Sequence, residues 1–342
     1  MLLNKLKTDF GRPNGKPVGL PDRNAQFFNK KIWCPNDCGT LQYNINEGRC
    51  SRMKQRAFHG DTLTALLFLL PITIFVVFFM VIPSVQNMIY SVVGADGTFD
   101  HFRGFRIFLS QNRFLVNIKN TLLYAVCSVV LIIPTGILCA HLITDDTKFV
   151  KILRPIFMIP WVIPYVCSGI LFRTMFHGQG PITMLLKALT GQEIMFLSDP
   201  NLAMVAVVLH QFWRSLPFTM LMVAAGLTTI PNGLYEAATI DGANRWQQFT
   251  KITFPLIKSH VFIVTLMITI GAMQDSESIF TINFGGPGNA TETVALRLYK
   301  DAFRNYNQDY AAILSVILLC IALVFIILYG QVMRVSEENI YE

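Results

Sequence analysis

The chain has 342 residues, of which 53% are hydrophobic and 14% charged, and its net charge is +7. A soluble globular domain carries about 25% charged residues. This composition therefore excludes an ordinary cytosolic enzyme, a disordered chain and a secreted disulfide scaffold, and describes a protein dissolved in a bilayer.

Residues 1–61 hold eleven Lys and Arg against five Asp and Glu, and the rest of the chain is nearly balanced. This basic segment runs directly into the first long apolar stretch, which reads as retention of a tail on the cytoplasmic side, and no nucleic-acid partner is expected. Pro13, Gly15, Pro17, Gly19, Pro21 and Pro35 predict a loop-like tail with at most a short helix. No apolar core of signal-peptide length occurs in it, so no cleavable leader is expected. Cys34, Cys38, Cys50 and His59 are spaced C-x3-C-x11-C-x8-H, which fits no familiar zinc pattern. They read as reduced thiols and a histidine, and no metal is assigned. Cys127, Cys139, Cys167 and Cys320 lie in apolar runs and read as small hydrophobes.

Crossing a hydrocarbon layer of ~30 Å takes about 20 apolar residues in a helix. Six windows qualify: 63–90, 121–143, 152–176, 202–227, 261–278 and 310–332. Backbone hydrogen bonds must close within each span, so the expected fold is all-α and polytopic, with six transmembrane helices. Pro71, Pro134, Pro164 and Pro217 interrupt four of the windows and predict bent helices. An even number of spans puts both termini on one side, and the tail's charge makes that side the cytoplasm. The domain reading is a tail 1–61, a transmembrane body 62–334 containing a cytoplasmic loop 230–258, and a tail 335–342.

The loop reads IPNGLYEAATIDGANRWQQFTKITFPLIK. Pro231 suits a helix start, Asp241-Gly242 suits a turn, and a second helical piece from about Asn244 is predicted to stop at Pro255. Ala237 and Ala238 allow another surface to approach the backbone closely, Gly242 permits a sharp bend, and Glu236 adds one fixed charge. The spacing Glu-Ala-Ala, three residues, Gly, nine residues, Ile-x-x-Pro is met by Glu236, Ala237, Ala238, Gly242, Ile252 and Pro255. This stretch resembles the EAA loop of permease subunits of binding-protein-dependent ABC importers, with Phe254 in place of the usual Leu. Phe105 to Thr121, Pro160-Trp161-Val162-Ile163-Pro164, and Phe284-Gly285-Gly286-Pro287 followed by Thr291-Glu292-Thr293, Tyr299 and Phe303 are similar to the carbohydrate-uptake branch, the maltose-permease type. The resemblance covers about residues 62–334.

The resemblance implies a second related permease subunit, two ATP-binding subunits that carry ATP and Mg, and an external solute-binding protein. It also implies that Glu236, Ala237, Ala238, Asp241 and Gly242 form the helix coupling transport to the ATPase, in a bacterial inner membrane. The chain has no G-x-x-x-x-G-K-[ST] phosphate loop, so it is not expected to be an enzyme and no cofactor is assigned to it. His210, Ser215 and Asp275 are too scattered to read as a catalytic triad.

Polar residues inside a span face a cavity or a partner. Gln211, Arg214 and Ser215 in the fourth window, and Gln274 and Asp275 in the fifth, are the candidate solute path. Two readings of Arg214 stand: pairing with Asp275 or with a carboxylate of the second permease, or contact with solute. If Arg214 and His210 face the path, the solute is anionic, such as an acidic oligosaccharide or glycerol phosphate. The function read from the sequence is import of a sugar or oligosaccharide. The alternatives are an ABC permease for another solute and a secondary transporter, for which neither inverted repeats nor ion sites are visible.

Overall fold

The computed structural model describes residues 41–44, 49–52, 59–93, 103–144 and 148–341, with side chains assigned over 64–93, 104–144, 150, 152 and 154–333. The chain divides into two units, residues 1–74 and 75–342. In the first, strands β1 (Leu41–Asn44) and β2 (Arg49–Arg52) form an antiparallel hairpin in which Tyr43 faces Cys50. The loop-like reading of the tail is corrected at that point. Cys34 and Cys38, and the side chains of Cys50 and His59, lie outside the described residues.

From His59 onward the described residues are mainly helical. Helix α1 (His59–Val76) is followed by a π turn (Val77–Val81) and α2 (Ile82–Val93), and the stretch 64–93 is strongly apolar. Phe68, at 81% exposed, typifies its surface; a helix apolar on all sides is at home only in lipid. Then follow α3 (Arg103–Leu109) and α4 (Asn112–Ile143). In α4 the buried residues Phe114, Asn117, Thr121, Tyr124, Ser128, Ile132, Gly136, Ala140 and Ile143 recur every three or four positions. That spacing makes one stripe of the helix face the protein, and Leu115, Val126, Val130, Leu138 and Leu142 point away from it.

Helices α5 (Lys148–Val162) and α6 (Tyr165–Phe176) are followed by the short α7 (Pro181–Thr190). The chain turns by 97° between Arg154–Val162 and Tyr165–Thr190. The bend lies at Ile163-Pro164, where the proline has no N–H to offer and disfavours helical backbone at the residue before it. Of the four prolines expected to bend spans, Pro164 does so sharply, whereas Pro71, Pro134 and Pro217 lie within helices that continue past them.

Helix α8 (Pro200–Leu227) begins at Asp199, whose carboxylate accepts the N–H groups of Asn201 and Leu202. Next come α9 (Asn232–Ile240), α10 (Arg245–Gln248), a π turn (Phe249–Thr253) and α11 (Phe254–Gln274). The expected stop at Pro255 does not occur, because the preceding turn closes with the Phe254 N–H donating to the Phe249 carbonyl, five residues back. That wider turn accommodates the ring of Pro255, and the helix runs as one element from Arg245 to Gln274. The chain ends with α12 (Glu277–Asn283), α13 (Val294–Phe303) and α14 (Gln308–Tyr341).

Among the described residues four helices are long and apolar enough to cross a membrane: Thr64–Val93, Asn112–Ile143, Arg245–Gln274 and Gln308–Met333. The bent pair makes a fifth if it counts as one span. Helix α8 has the length, about 42 Å at 1.5 Å per residue, but His210, Gln211, Arg214 and Ser215 at its centre lower its apolar character.

Helices α4, α8 and α11 pack together as the centre of the second unit. One cluster there gathers Ile132, Ile133, Met220, Val223, Ile257, Val264 and Ile268. Another gathers Tyr124, Phe172, Met204, Val207, Met273, Ile279 and Leu296. Gly136 sets the approach of α4 to α8: a Cβ there would lie 2.4 Å from Thr219 Cγ2. Small residues at such crossings let backbones close up where lipid supplies no hydrophobic drive between helices.

Candidate functional site

Three polar regions stand out. The first is the middle of α8. His210 is fully buried, Gln211 is 3% exposed, Arg214 7% and Ser215 8%. Arg214 does not pair with Asp275. Its Nη1 donates to the Ile163 carbonyl at the break between α5 and α6, and its guanidinium carbon lies 3.5 Å from the centre of the Tyr165 ring. A bend frees backbone carbonyls, and Arg214 caps one of them. His210 Nε2 shares a hydrogen bond with Ser168 Oγ at 2.9 Å, so α8 is tied twice to the bent pair and no triad forms. Asp275 accepts from Tyr124 Oη at 2.8 Å and from the Ser278 N–H at 3.0 Å.

The five expected path residues are nonetheless brought together. Gln211, Arg214 and Ser215 line a cavity of about 260 Å³ with Trp161, Tyr165 and Phe218. Gln274 and Asp275 line a neighbouring one of about 240 Å³, with Ser276 and Glu277. Tyr165 and Gly271 belong to both walls. Trp161 stacks on Phe218 at 5.7 Å. Two buried atoms on this wall, Gln211 Oε1 and Arg214 Nε, have no protein partner; leaving them unmet costs roughly 1–3 kcal/mol each unless water or solute meets them.

The second region is the loop after α8. Helix α9 ends in a Schellman closure: the Gly242 N–H donates to Thr239 and the Ala243 N–H to Ala238. This closure requires the left-handed backbone that Gly242 supplies, with φ +78°. Asn244 and Gln247 then exchange side-chain and backbone bonds as a capping box that starts α10. Tyr235 Oη and Thr253 Oγ1 share a hydrogen bond at 2.9 Å, holding α9 against the base of α11. Glu236, Ala237, Asp241 and Gly242 are exposed and Ala238 is half-buried. Beside them stand Ile240, 87% exposed, and Trp246, 71% exposed. These two side chains leave apolar surface around the minimal side chains of Ala237 and Gly242.

The third region was not assigned from the sequence. Glu292, fully buried, accepts from Arg113 Nε at 2.9 Å and Nη2 at 2.8 Å, from Lys300 Nζ at 2.9 Å and from Asn117 Nδ2 at 3.2 Å. Burial alone would push its carboxyl up, but the Arg113, Lys300 and Asn117 bonds hold it below the usual carboxylate range. Asn120 donates to the carbonyls of Asn289 and Glu292, and Thr121 Oγ1 accepts the Val294 N–H. Arg113, Asn117, Asn120 and Thr121 stand at i, i+4, i+7 and i+8 on one face of α4. That spacing was the available signal, obscured because the apolar window began only at residue 121.

Residues 132–337 match the family described as binding-protein-dependent transport system inner membrane component. The chain belongs to this family: it is a permease component of an ABC transport system and a multi-pass protein of the inner membrane. It is 28% identical over 301 residues to the sulfoquinovosyl glycerol transport system permease protein SmoG of Agrobacterium fabrum, covering 86% of this chain and 97% of that protein. It is 32% identical over 282 residues to the trehalose/maltose transport system permease protein MalF of Thermococcus litoralis, covering 80% and 94%. Its fold matches a chain of a bacterial ABC transporter involved in the import of the acidic polysaccharide alginate, with TM-score 0.72, 22% identity, and 81% and 96% of the two chains covered.

Proposed function

We propose that the chain is the permease subunit of an ATP-driven importer that passes a sugar or oligosaccharide from an external binding protein into the cytoplasm by alternating access. The relatives named for sulfoquinovosyl glycerol and trehalose/maltose support a carbohydrate solute. A second related permease completes the pathway, and two ATP-binding subunits hydrolyse ATP outside this chain. The body spans the membrane six times, with the bent pair α5–α6 as the third span and α8 as the fourth. Both termini and the 230–258 loop then lie on the cytoplasmic side.

The observation that carries this reading is α9: an exposed helix with Glu236, Ala237 and Ala238 on it, rigidly closed by Gly242 and flanked by Ile240 and Trp246. It serves as the coupling helix, with Asp241 and Gly242 fixing its exit. Movement imposed on α9 reaches α11 through the Tyr235–Thr253 bond and reaches α8 through the short link at Thr228 to Pro231. Gln211, Arg214, Ser215, Gln274 and Asp275 line the solute path between α8 and α11. The test is reconstitution into proteoliposomes. Labelled sugar should enter only with both permeases, the ATP-binding subunits, the binding protein and ATP. Ion-driven uptake by this chain alone would replace the proposal with a secondary transporter.

A further inference from the structure

A cavity apart from the solute path opens between the ends of α4, α5 and α8, with a volume of about 470 Å³. Its walls are apolar: Pro155, Met158, Met220, Leu221 and Ala224. Polar groups gather at one end, Arg154 with Thr144 and Thr228. Thr144 follows the last residue of α4, Thr228 follows the last of α8, and Arg154 lies in the second turn of α5. All three stand near element ends on the side of α9, which the six-span reading proposed above puts at the membrane surface.

Arg154 is bound by a neutral group. Its Nε and Nη2 donate to the Ile143 carbonyl at 3.1 and 2.5 Å, and no carboxylate pairs with it among the described residues. A guanidinium has five N–H donors, so Nη1 and one hydrogen of Nη2 remain for another acceptor. The threonine hydroxyls already donate backwards, Thr144 to Ala140 and Thr228 to Ala225, and neither adds charge. The groove thus offers an apolar trough ending at a cation that no carboxylate among the described residues neutralises.

We infer that this groove binds an anionic phospholipid of the leaflet on the α9 side, with the phosphodiester on Arg154 and one acyl chain along Met158, Met220, Leu221 and Ala224. Charge complementarity selects the lipid: a basic residue at a membrane surface favours anionic headgroups, and the trough accommodates a chain that a free phosphate lacks. The lipid would brace α5 against α8, the two helices that Arg214 ties together at the Ile163 break.

The assembled transporter, purified in mild detergent and exchanged with phosphatidylglycerol or phosphatidylcholine, would be weighed by native mass spectrometry. The wild type should retain phosphatidylglycerol in preference. Arg154→Ala should weaken that preference about fivefold, the ratio for one basic residue at an anionic surface, and Arg154→Lys should keep most of it. Ala224→Phe, which fills the trough and leaves Arg154 intact, should lower retention of both lipids. Assembly with the partner subunits, checked by size-exclusion, shows that each variant is folded. Retention in Arg154→Ala equal to the wild type overturns the proposal. So does a photo-crosslinker at Leu221 that labels the second permease instead of lipid, which would make the groove a subunit interface.

Discussion

Replacing Glu292 by Gln removes one charge and keeps the shape. Glu292 is buried and accepts four N–H bonds, two from Arg113, one from Lys300 and one from Asn117. Hydrogen bonds to charged groups contribute about 1.5–3 kcal/mol each. The Arg113 side chain is 46% exposed and regains water when its partner is neutral, so its share falls to that of a surface pair, about 0–1 kcal/mol. The Lys300 side chain is 13% exposed and recovers little. The expected loss is therefore about 2–4 kcal/mol, measured by denaturant unfolding in detergent followed by circular dichroism. Glu292 has a folded pKa held below its ordinary value of about 4.3. A depressed acid contributes stability that is fully present above its unfolded value and is lost as the pH falls through its folded value. The gap between wild type and variant should be full at neutral pH and shrink below about pH 4. In a double-mutant cycle with Lys300→Met the two losses should fall short of additive. A gap under about 0.5 kcal/mol at neutral pH, or one unchanged in acid, would refute the reasoning.

Three further outcomes are expected. Gly242→Val, at φ +78° with no atom near its Cβ position, should cost about 1–2 kcal/mol through backbone strain alone and weaken co-purification of the ATP-binding subunits, whereas Gly242→Asn should be milder. Gly136→Ala should cost about 1–3 kcal/mol by driving Thr219 from α4, and adding Thr219→Ser, which removes the clashing methyl, should recover part of the thermal stability. Arg214→Gln should lower uptake by freeing the Ile163 carbonyl and, if the solute is acidic, should reduce the preference for acidic over neutral sugars; an unchanged preference ends the acidic-solute reading.

Much of the helical body was legible because lipid-facing helices leave long apolar runs and α4 keeps its buried stripe in register. The EAA stretch was legible because a close-approach helix closed by a left-handed glycine leaves Ala237, Ala238 and Gly242 at fixed spacing. Prolines were a mixed guide, right at Pro164 and wrong at Pro255. Pro255 fits a wide turn and ends nothing, while Pro164 makes a bend of 97° whose size no local pattern records. Of the Arg214 readings, pairing with Asp275 is the one replaced, because charge logic points to a carboxylate and the break between α5 and α6 supplies a carbonyl. The Glu292 hub joins side chains up to 179 residues apart, and its one local trace, the face of α4 bearing Arg113, Asn117, Asn120 and Thr121, lies mostly ahead of the apolar window.

The central claim is that α9 is the surface through which an ATP-driven partner moves this chain. A photo-crosslinking residue at Ala237, with a lipid-facing control at Leu138, tests it most directly in the assembled transporter. The expected result is an adduct between Ala237 and the ATP-binding subunit whose yield changes when ATP is added, with none from Leu138. An adduct with the external binding protein, or no protein adduct at Ala237, would contradict the account.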